Sequence, residues 1–510
     1  MKKVVVICLL LMPVLSYAQQ AQEDDLIRQR LEALFAHIAT NHFDSLQPYL
    51  AEELTVSGHA EPTATAILKA LPMQASAPDS YEIADRTHTG AGLVVAVIAM
   101  VKGEQKEYTF SFNEKYFFTE INMFKVEVQQ VEEPKATPLP KPVVIPFTLV
   151  DGLIFIKVKL GQTKDPLNFV FDTGATTCVL DSLVARQYDM TEMGQQSGKG
   201  AHGSSTYSLT SLDTLLVNEI SLSNVTTVLV DLDHLGGAYR IDGIIGHTLL
   251  SKYPVKIDYD RAQLTLYNDM AQVTRLYHRE LTFSFKDGIQ IPKLPMTIRL
   301  ASGQSYAGDV FMDTGAGPAF LLNSSYVKAH SLNKEFRERF FVGFRSLTKG
   351  PRSGDFKSTI PALQLGAHRL EEIPIIVTAS EQGINALPNT LGIAGSGILH
   401  RFNWLLDYNG MKAYYEPNSY YDKPFLYPAT NFTIRRKAGK MYLNNVQPGS
   451  EEAEQGLVND LEVISVNGLG YEEYDQIEEL IATDGITIEL QYINSGGQKE
   501  VMKIRTGRKI

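Results

Sequence analysis

Cysteine is nearly absent from this chain of 510 residues, which contains only Cys8 and Cys178. Because Cys8 lies in a segment that we expect to be removed, one thiol remains and no disulfide can form within the mature chain. Stability must therefore come from hydrophobic cores. Hydrophobic residues make up 44% of the chain, which supplies enough apolar material for several cores.

Dense runs of basic residues are also missing. The chain has 47 Lys and Arg against 58 Asp and Glu, which gives a formal net charge of −11. Nucleic-acid binding relies on clustered basic side chains that neutralise phosphates, so this charge pattern argues against nucleic acid as a partner. The negative charge by itself indicates no other partner.

The apolar run near the start, residues 4–14, is shorter than the roughly 20 residues that a membrane-spanning helix needs. It follows Lys2 and Lys3 and precedes the small-residue segment Ser16-Tyr17-Ala18. This order predicts a signal peptide over 1–18 and no transmembrane anchor after its cleavage. Exported proteins without disulfides are typical of bacteria, so we expect a periplasmic or extracellular bacterial protein.

Length predicts about three to four domains. Residues 24–131 begin with an amphipathic helix, expected over 24–54, and a second helix near 64–71. Strand-like runs rich in β-branched and aromatic residues follow, so we predict an α+β accessory domain. Its element order resembles the SnoaL-like cone fold.

A proline-rich segment follows the accessory domain. It contains Pro134, Pro138, Pro140 and Pro142. Because proline lacks a backbone donor and has a fixed φ, this composition predicts an extended linker over 132–144.

The next part of the chain, 145–417, consists mainly of short β-type runs, and a motif repeats within it. Phe169-Val-Phe-Asp-Thr-Gly-Ala recurs as Val310-Phe-Met-Asp-Thr-Gly-Ala, an offset of 141 residues. Each copy is followed by a glycine, Gly246 or Gly395, and 12 residues later by an Asp-Tyr pair. The repeated spacing predicts two homologous lobes, 145–272 and 278–417.

The repeated motif resembles the retropepsin-like pattern of aspartic peptidases. The resemblance covers both copies and implies an all-β, bilobed acid-protease barrel pair in which each Asp-Thr-Gly loop contributes one carboxylate. By this resemblance Asp172 and Asp313 lie side by side between the lobes. It also implies that Thr173 and Thr314 hydrogen-bond across to the opposite loop.

The chemistry of such a pair explains why both acids are needed. Gly174 and Gly315 allow backbone N–H groups to approach and bond the carboxylates. Two carboxylates in near contact share a proton, so one can accept a proton from an attacking water while the other donates to a peptide carbonyl. The resemblance implies no metal or other cofactor.

Other features of the β region carry less chemistry. The glycine-containing stretches Gln195–Tyr207 and Val342–Phe356 predict either flaps over a cleft or ordinary polar loops. Cys178 has apolar neighbours, and we interpret it as a packed hydrophobe. The histidines are scattered without a His-Glu-x-x-His pattern, so we predict no metal site.

Residues 424–510 resemble a PDZ domain of the bacterial protease-associated kind, through Val446-Gln-Pro-Gly-Ser and Ile464-Ser-Val-Asn-Gly. The resemblance implies a groove where a peptide adds as a strand beside a helix. The groove residues that it implies are Asn431, Phe432, Thr433, Ile434, Ile477 and Ile481. Residues 428–434 lack the glycine of the usual carboxylate loop, so packing or internal-peptide docking is an equal alternative to C-terminal capture.

These features together predict a multidomain, exported aspartic endopeptidase. It would hydrolyse a polypeptide substrate with a water activated by Asp172 and Asp313, and the PDZ domain would dock or gate that substrate. The alternative is a noncatalytic envelope peptide-binding protein that keeps the protease fold. The presence of both acids favours the enzyme, because a decayed site has no chemical need for them.

Overall fold

A computed structural model describes residues 5–57, 59–60, 63–89, 92–123, 138–161, 163–200, 203–270, 273, 277–286, 289–336, 339–343, 354–381 and 383–508. The chain divides into two compact units, Met1–Pro134 and Lys135–Ile510. In its described part, no helix is both long and apolar enough to cross a membrane.

The first unit packs helices on one six-stranded sheet, with strand order β2-β1-β6-β5-β4-β3. Its helices are α1 Val5–Thr40, α2 Phe43–Leu46 and α3 Thr63–Gln74. Its strands are β1 Leu50–Val56, β2 His59–Ala60, β3 Ser80–Thr89, β4 Gly92–Val101, β5 Glu104–Phe112 and β6 Phe118–Asn122. The apolar stripe of α1 and alternate residues of β4 and β5 form the core of this unit.

The helix expected over 24–54 ends at Thr40, so this boundary was wrong. Asn41 adopts a left-handed backbone with φ of 57°, which stops the helix. Residues 50–56 instead form β1, which pairs in parallel with β6 through Val56 and Ile121. Tertiary pairing therefore overrides the local helical pattern in this segment.

The second unit begins with two successive blocks of strands. The first block comprises β7 Val143–Pro146, β8 Thr148–Val150, β9 Leu153–Leu160, β10 Leu167–Phe171, β11 Cys178–Asp181, β12 Gly194–Gly200, β13 Gly203–Val217, β14 Ile220–Val230, β15 Gly243–Ile245, β16 Val255–Asp258 and β17 Gln263–Leu266, with helices α4 Ser182–Gln187 and α5 His247–Leu250. Strand β7 starts inside the range that we assigned to the linker.

The second block comprises β18 Glu280–Thr282, β19 Ser284–Lys286, β20 Ile289–Arg299, β21 Ser305–Met312, β22 Phe320–Leu322, β23 Phe340–Phe341, β24 Phe356–Leu365, β25 His368–Val377, β26 Thr390–Ala394, β27 Phe402–Asp407 and β28 Lys412–Pro417, with helices α6 Ser324–Ala329 and α7 Ser396–Leu399. These two blocks are called the first and the second lobe below.

The two lobes have the same sheet topology. The first lobe has the order β12-β13-β14-β11-β15-β10-β9-β8, and the second has β23-β24-β25-β22-β26-β21-β20-β19. The two orders coincide when strands β8 to β15 of the first lobe are matched, in chain order, to strands β19 to β26 of the second. The motif repeat therefore corresponds to a repeat of the whole fold.

A third sheet joins the lobes, with strand order β7-β17-β16-β27-β28-β18. Its centre is the antiparallel pair of β16 with β27, in which Ile257 lies opposite Trp404. One hydrophobic cluster extends through both lobes, and Trp404 is fully buried within it. The lobes consequently form one packed body, and the strand order of the joining sheet is symmetric about the β16–β27 pair.

The C-terminal module, residues 424–508, forms a separate five-stranded antiparallel sheet in the order β29-β30-β31-β32-β33. Its strands are β29 Thr433–Lys437, β30 Lys440–Asn444, β31 Glu462–Val466, β32 Thr487–Ile493 and β33 Lys499–Arg505, and its helices are α8 Glu451–Glu454 and α9 Tyr474–Ala482. Helix α9 packs on the sheet through Ile477 and Ile481, and the module has its own core.

Candidate active site

The two Asp-Thr-Gly loops follow equivalent strands, β10 and β21. The backbone N–H of Asp172 donates to Ile245 O at 2.9 Å, and that of Asp313 donates to Ala394 O at 3.0 Å. A Cβ atom at Gly246 would lie 1.8 Å from Asp172 O, so only glycine fits there. The distant hydrophobic-hydrophobic-Gly segments thus hold the loops from behind.

The two threonines tie the loops together reciprocally. Thr173 N donates to Thr314 Oγ1 and Thr314 N donates to Thr173 Oγ1, both at 3.0 Å. Thr173 Oγ1 also donates to Met312 O at 2.7 Å, and Thr314 Oγ1 donates to Phe171 O at 3.1 Å. Both threonines are fully buried, so these bonds are shielded from water.

Each carboxylate lies against the glycine of the opposite loop. Gly174 N donates to Asp172 Oδ1 at 2.7 Å, and Gly315 N donates to Asp313 Oδ1 at 2.9 Å and to Asp172 Oδ1 at 3.2 Å. A Cβ at Gly315 would lie 2.3 Å from Asp172 Cγ, and one at Gly174 would lie 2.6 Å from Asp313 Cγ. Both glycines therefore make room for the acid across the interface.

The electrostatics of the pair favour retention of a proton. Burial raises the pKa of Asp313 well above its ordinary value, and the charge of Asp172 raises it further. Burial also raises the pKa of Asp172, whereas hydrogen bonds from Asp313 and the two glycine N–H groups lower it. Asp172 Oδ1 accepts hydrogen bonds from two glycine N–H groups and Asp313 Oδ1 from one, an arrangement that favours the single charge of the pair on Asp172.

Tyr408 is a neighbour of the pair that the sequence did not single out. Its side chain is buried. Burial is the main cause that raises the pKa of its phenol, and the charges of Asp172 and Asp313 raise this pKa further. The hydroxyl has no hydrogen-bond partner among the described residues. The ring contacts His247 of the first lobe at 5.8 Å between centroids. The repeated Asp-Tyr pair was the pattern that could have identified it.

A turn of the first lobe also reaches the second Asp-Thr-Gly loop. Gly152, between β8 and β9, lies so close to Ser396 that a Cβ would be 2.6 Å from its Oγ. Ser396 Oγ donates to Gly317 O at 3.0 Å, and Gly317 is four residues after Asp313. The turn at Asp151 and Gly152 therefore crosses the lobe interface beside the candidate site.

The stretch Gln195–Tyr207, one of the two candidate flaps, falls in the β12–β13 hairpin. Its backbone pairs from Gly194 with Leu209 to Gly200 with Gly203. In the second candidate flap, residues 344–353 lie outside the described residues. The flanking strands β23 and β24 pair through Phe341 and Phe356, in the topological position of β12 and β13.

The residues implied for a PDZ groove are mostly enclosed by the C-terminal module. Four of the six have buried side chains, namely Phe432, Ile434, Ile477 and Ile481. Asn431 Nδ2 donates to Glu452 Oε2 at 2.7 Å, and Thr433 Oγ1 donates to Asn444 O at 3.2 Å. The four apolar side chains pack in the core of the module, and the groove itself stays a prediction.

Cys178 lies in the core of the first lobe, where burial raises the pKa of its thiol to about 12. A thiol with such a pKa is protonated at neutral pH and is a poor nucleophile. Within the described ranges, His, Cys, Asp and Glu side chains form no group of three that suits a metal ion. The paired aspartates are the titratable groups that the two Asp-Thr-Gly loops bring together at this site.

The arrangement of two β lobes with facing Asp-Thr-Gly loops is consistent with an aspartic protease fold. Residues 156–249, which include Asp172 and Gly246, match the family model described as "Aspartyl protease". This part of the chain is therefore similar to aspartyl proteases, and Asp313 lies outside the match.

Among solved structures, the aspartic proteinase from Irpex lacteus matches with 13% sequence identity and a TM-score of 0.37. The match covers 56% of this chain and 99% of that chain. The comparison with curated proteins gives no match.

Proposed function

We propose that this protein is an exported aspartic endopeptidase in which Asp172 and Asp313 form the catalytic pair. The observation that carries the proposal is the reciprocal arrangement of the two loops, in which each acid faces the glycine of the other lobe. Residues 141 apart in sequence gain this geometry only if both lobes contribute to one site. The aspartyl protease match over 156–249 supports the same class.

The asymmetry of the pair suggests a role for each acid. In the singly protonated state, Asp172 would hold the charge and accept a proton from a water, because its Oδ1 accepts hydrogen bonds from the N–H groups of both Gly174 and Gly315. Asp313 would keep the proton and donate it to the carbonyl oxygen of the peptide bond. The water attacks the carbonyl carbon directly, so no covalent intermediate with the protein forms.

We further propose that the protein is exported and that its C-terminal module controls substrate access. The N-terminal charged, apolar and small-residue segments support export with cleavage after Ala18. The C-terminal module, which we propose to be PDZ-like, would act on substrate access. Its sheet-and-helix architecture and its contacts with the lobes support that role.

The decisive experiment compares peptide-library cleavage by the purified mature protein with that by Asp172→Asn and Asp313→Asn. Loss of one ionisable member removes the shared proton, so we expect kcat to fall by at least about 10²-fold in each variant. Asp165→Asn, an exposed aspartate on the β9–β10 turn, is the matched control and should keep full activity.

Unchanged turnover in both variants would contradict the assignment of the pair. A wild-type protein that binds peptides but cleaves none across the pH range would instead favour a noncatalytic envelope peptide-binding protein. Folding of each variant is checked by its thermal melt, so that a loss of activity is not a loss of structure.

A further inference from the structure

The C-terminal module contacts the first lobe through two basic residues at the end of β29. Arg436 Nη2 lies 2.6 Å from Asp151 Oδ1, and Lys437 Nζ lies 3.2 Å from Asp233 Oδ2. Arg436 is the less exposed of the two cations, because its guanidinium also packs on the Tyr474 ring at 4.2 Å. Edge strand β29 and helix α9 consequently face the catalytic lobes.

The same module contacts the second lobe through two amide side chains. Gln447 accepts a bond from Phe341 N and donates one to Phe341 O, both at 2.8 Å, as a neighbouring strand would. Asn445 Oδ1 accepts from Gly343 N at 2.8 Å. These bonds engage the backbone of β23 and the residues directly after it.

Glu478, on helix α9, is a third charged residue of the module that lies near the lobes. Glu478 lies near both Asp151 of the first lobe and Lys357 of β24 in the second. Burial lowers the pKa of Lys357, and the charge of Glu478 opposes this. Glu478 therefore attracts Lys357 of the second lobe and repels Asp151 of the first. The attraction of the module to the first lobe comes from Arg436 and Lys437.

The contacted elements lie next to the candidate catalytic site. The turn at Asp151 and Gly152 touches Ser396, whose hydroxyl bonds Gly317 beyond Asp313. Phe341 lies on β23, the counterpart of β12 in the first lobe's hairpin. One face of the module thus bridges the two lobes at elements that border the interlobe site.

We propose that the C-terminal module is an intramolecular lid that bridges the lobes through Asp151–Arg436 and Asp233–Lys437 and restricts the entry of polypeptide substrate. This inference rests on the proposed endopeptidase function. Ion pairs between partly exposed groups are individually weak and are screened by salt. The lid is therefore reversible, and ionic strength shifts its balance between closed and open states.

The test uses the full mature chain with Arg436→Glu and Lys437→Glu combined. Like charges then face each other across the interface, and we expect kcat/KM for an unfolded protein substrate to rise about three- to tenfold at low salt. A short fluorogenic peptide, which needs a smaller opening, should change less than about twofold. Added salt should raise the wild-type rate towards that of the variant.

Arg435→Glu combined with Lys440→Glu is the matched control. It makes the same change of charge in the same module, but Arg435 pairs with Asp460 and Lys440 with Glu462, both inside the module. We expect wild-type rates from it. A charge swap, Lys437→Asp with Asp233→Lys, should restore the wild-type rate that Lys437→Asp alone increases.

Hydrogen exchange gives a readout that does not depend on cleavage. The backbone N–H groups of Phe341 and Gly343 donate to Gln447 and Asn445 of the module, so they should exchange faster in the Arg436→Glu, Lys437→Glu protein. Unchanged exchange, or a kcat/KM for unfolded protein that is equal or lower, overturns the lid. If no form of the protein cleaves either substrate, the peptidase proposal fails, and exchange at these two amides then tests only whether the charge changes release the module from the lobes.

Discussion

Asp172 and Asp313 depend on each other at the scale of single residues. Each is held by a backbone N–H of its own loop, and the glycine of each loop leaves space for the opposite carboxylate. Reciprocal threonine bonds then fix the separation of the loops. The proton-sharing geometry is consequently a property of the pair, and neither lobe has it alone.

This geometry predicts how Asp313→Asn changes stability with pH. The pKa of Asp313 is higher in the folded protein than its value of about 4 in the unfolded chain. The protonated carboxyl therefore stabilises the fold at pH values below about 4, and this contribution is lost as the pH rises through the folded-state pKa. The amide cannot ionise and escapes this loss. We therefore expect the Tm of the variant minus that of wild type to increase from acidic to neutral pH, by about 2–4 °C for each kcal/mol.

Thermal melts of wild type, Asp313→Asn and the exposed control Asp165→Asn, over a pH series, measure this difference. The control should show a difference that hardly changes with pH. A Tm difference for Asp313→Asn that stays level or shrinks towards neutral pH would show that the carboxyl is not held in its protonated form.

At the scale of elements, Arg401 anchors the segment that leads from β28 to the C-terminal module. Its Nη1 donates to Tyr420 O and Tyr421 O, both at 3.0 Å, and its Nε donates to Gly397 O at 3.1 Å. The guanidinium also packs over the Phe425 ring at 3.8 Å. One planar cation therefore fixes both the linker and the C-terminal end of α7.

Arg401→Lys should loosen this linker, because an ammonium cannot reproduce the spread of the guanidinium donors. We expect a loss of about 1–3 kcal/mol from buried carbonyls that lose a charged partner. Limited proteolysis should cut the Arg401→Lys protein within 418–432 several times faster than it cuts wild type. The increase should be the same in independent preparations. Arg369→Lys, at an exposed arginine that pairs with Glu371, is the matched control.

Equal cleavage rates in the Arg401→Lys and Arg369→Lys proteins would contradict the anchoring role. Denaturant unfolding provides the second measurement. It separates a local loosening of the linker from a loss of stability in the lobes.

At the scale of the whole molecule, the chain consists of two units with separate cores. The core of the first unit is formed by residues from Ile27 to Met123. The large core of the second begins at Val143 and is shared by both lobes through the central sheet. Folding of the two lobes therefore needs no side chain from the core of the first unit.

A fragment from Lys135 to Ile510 should accordingly fold by itself. Calorimetry of the full chain should show more than one transition, and the fragment should keep the transition of the lobes within about 2 °C. It should also retain the peptidase activity proposed for the full chain. A fragment that melts without cooperativity, or a single transition shared by the full chain, would show that the two units stabilise each other.

Much of the structure of the two lobes was predictable from the sequence because its determinants are local. The Asp-Thr-Gly-Ala loops, their apolar strands and the distant glycines recur at nearly constant spacing, and glycine is required wherever the backbone passes another atom closely. The reciprocal threonine bonds were implied by resemblance to retropepsin-like proteins. The structure shows them at 3.0 Å.

Only the tertiary structure decided the features that arise from contacts distant in sequence. Residues 50–56 joined a sheet because β6 offered a partner strand, which no local pattern records. Tyr408 lies near the carboxylates of both lobes. Arg436 pairs with Asp151, which is 285 residues away in the sequence. The sequence by itself thus determined the two Asp-Thr-Gly loops and the residue types that they bring together. The packing of β strands determined which other residues surround these loops, because strand pairing depends on which distant segments meet.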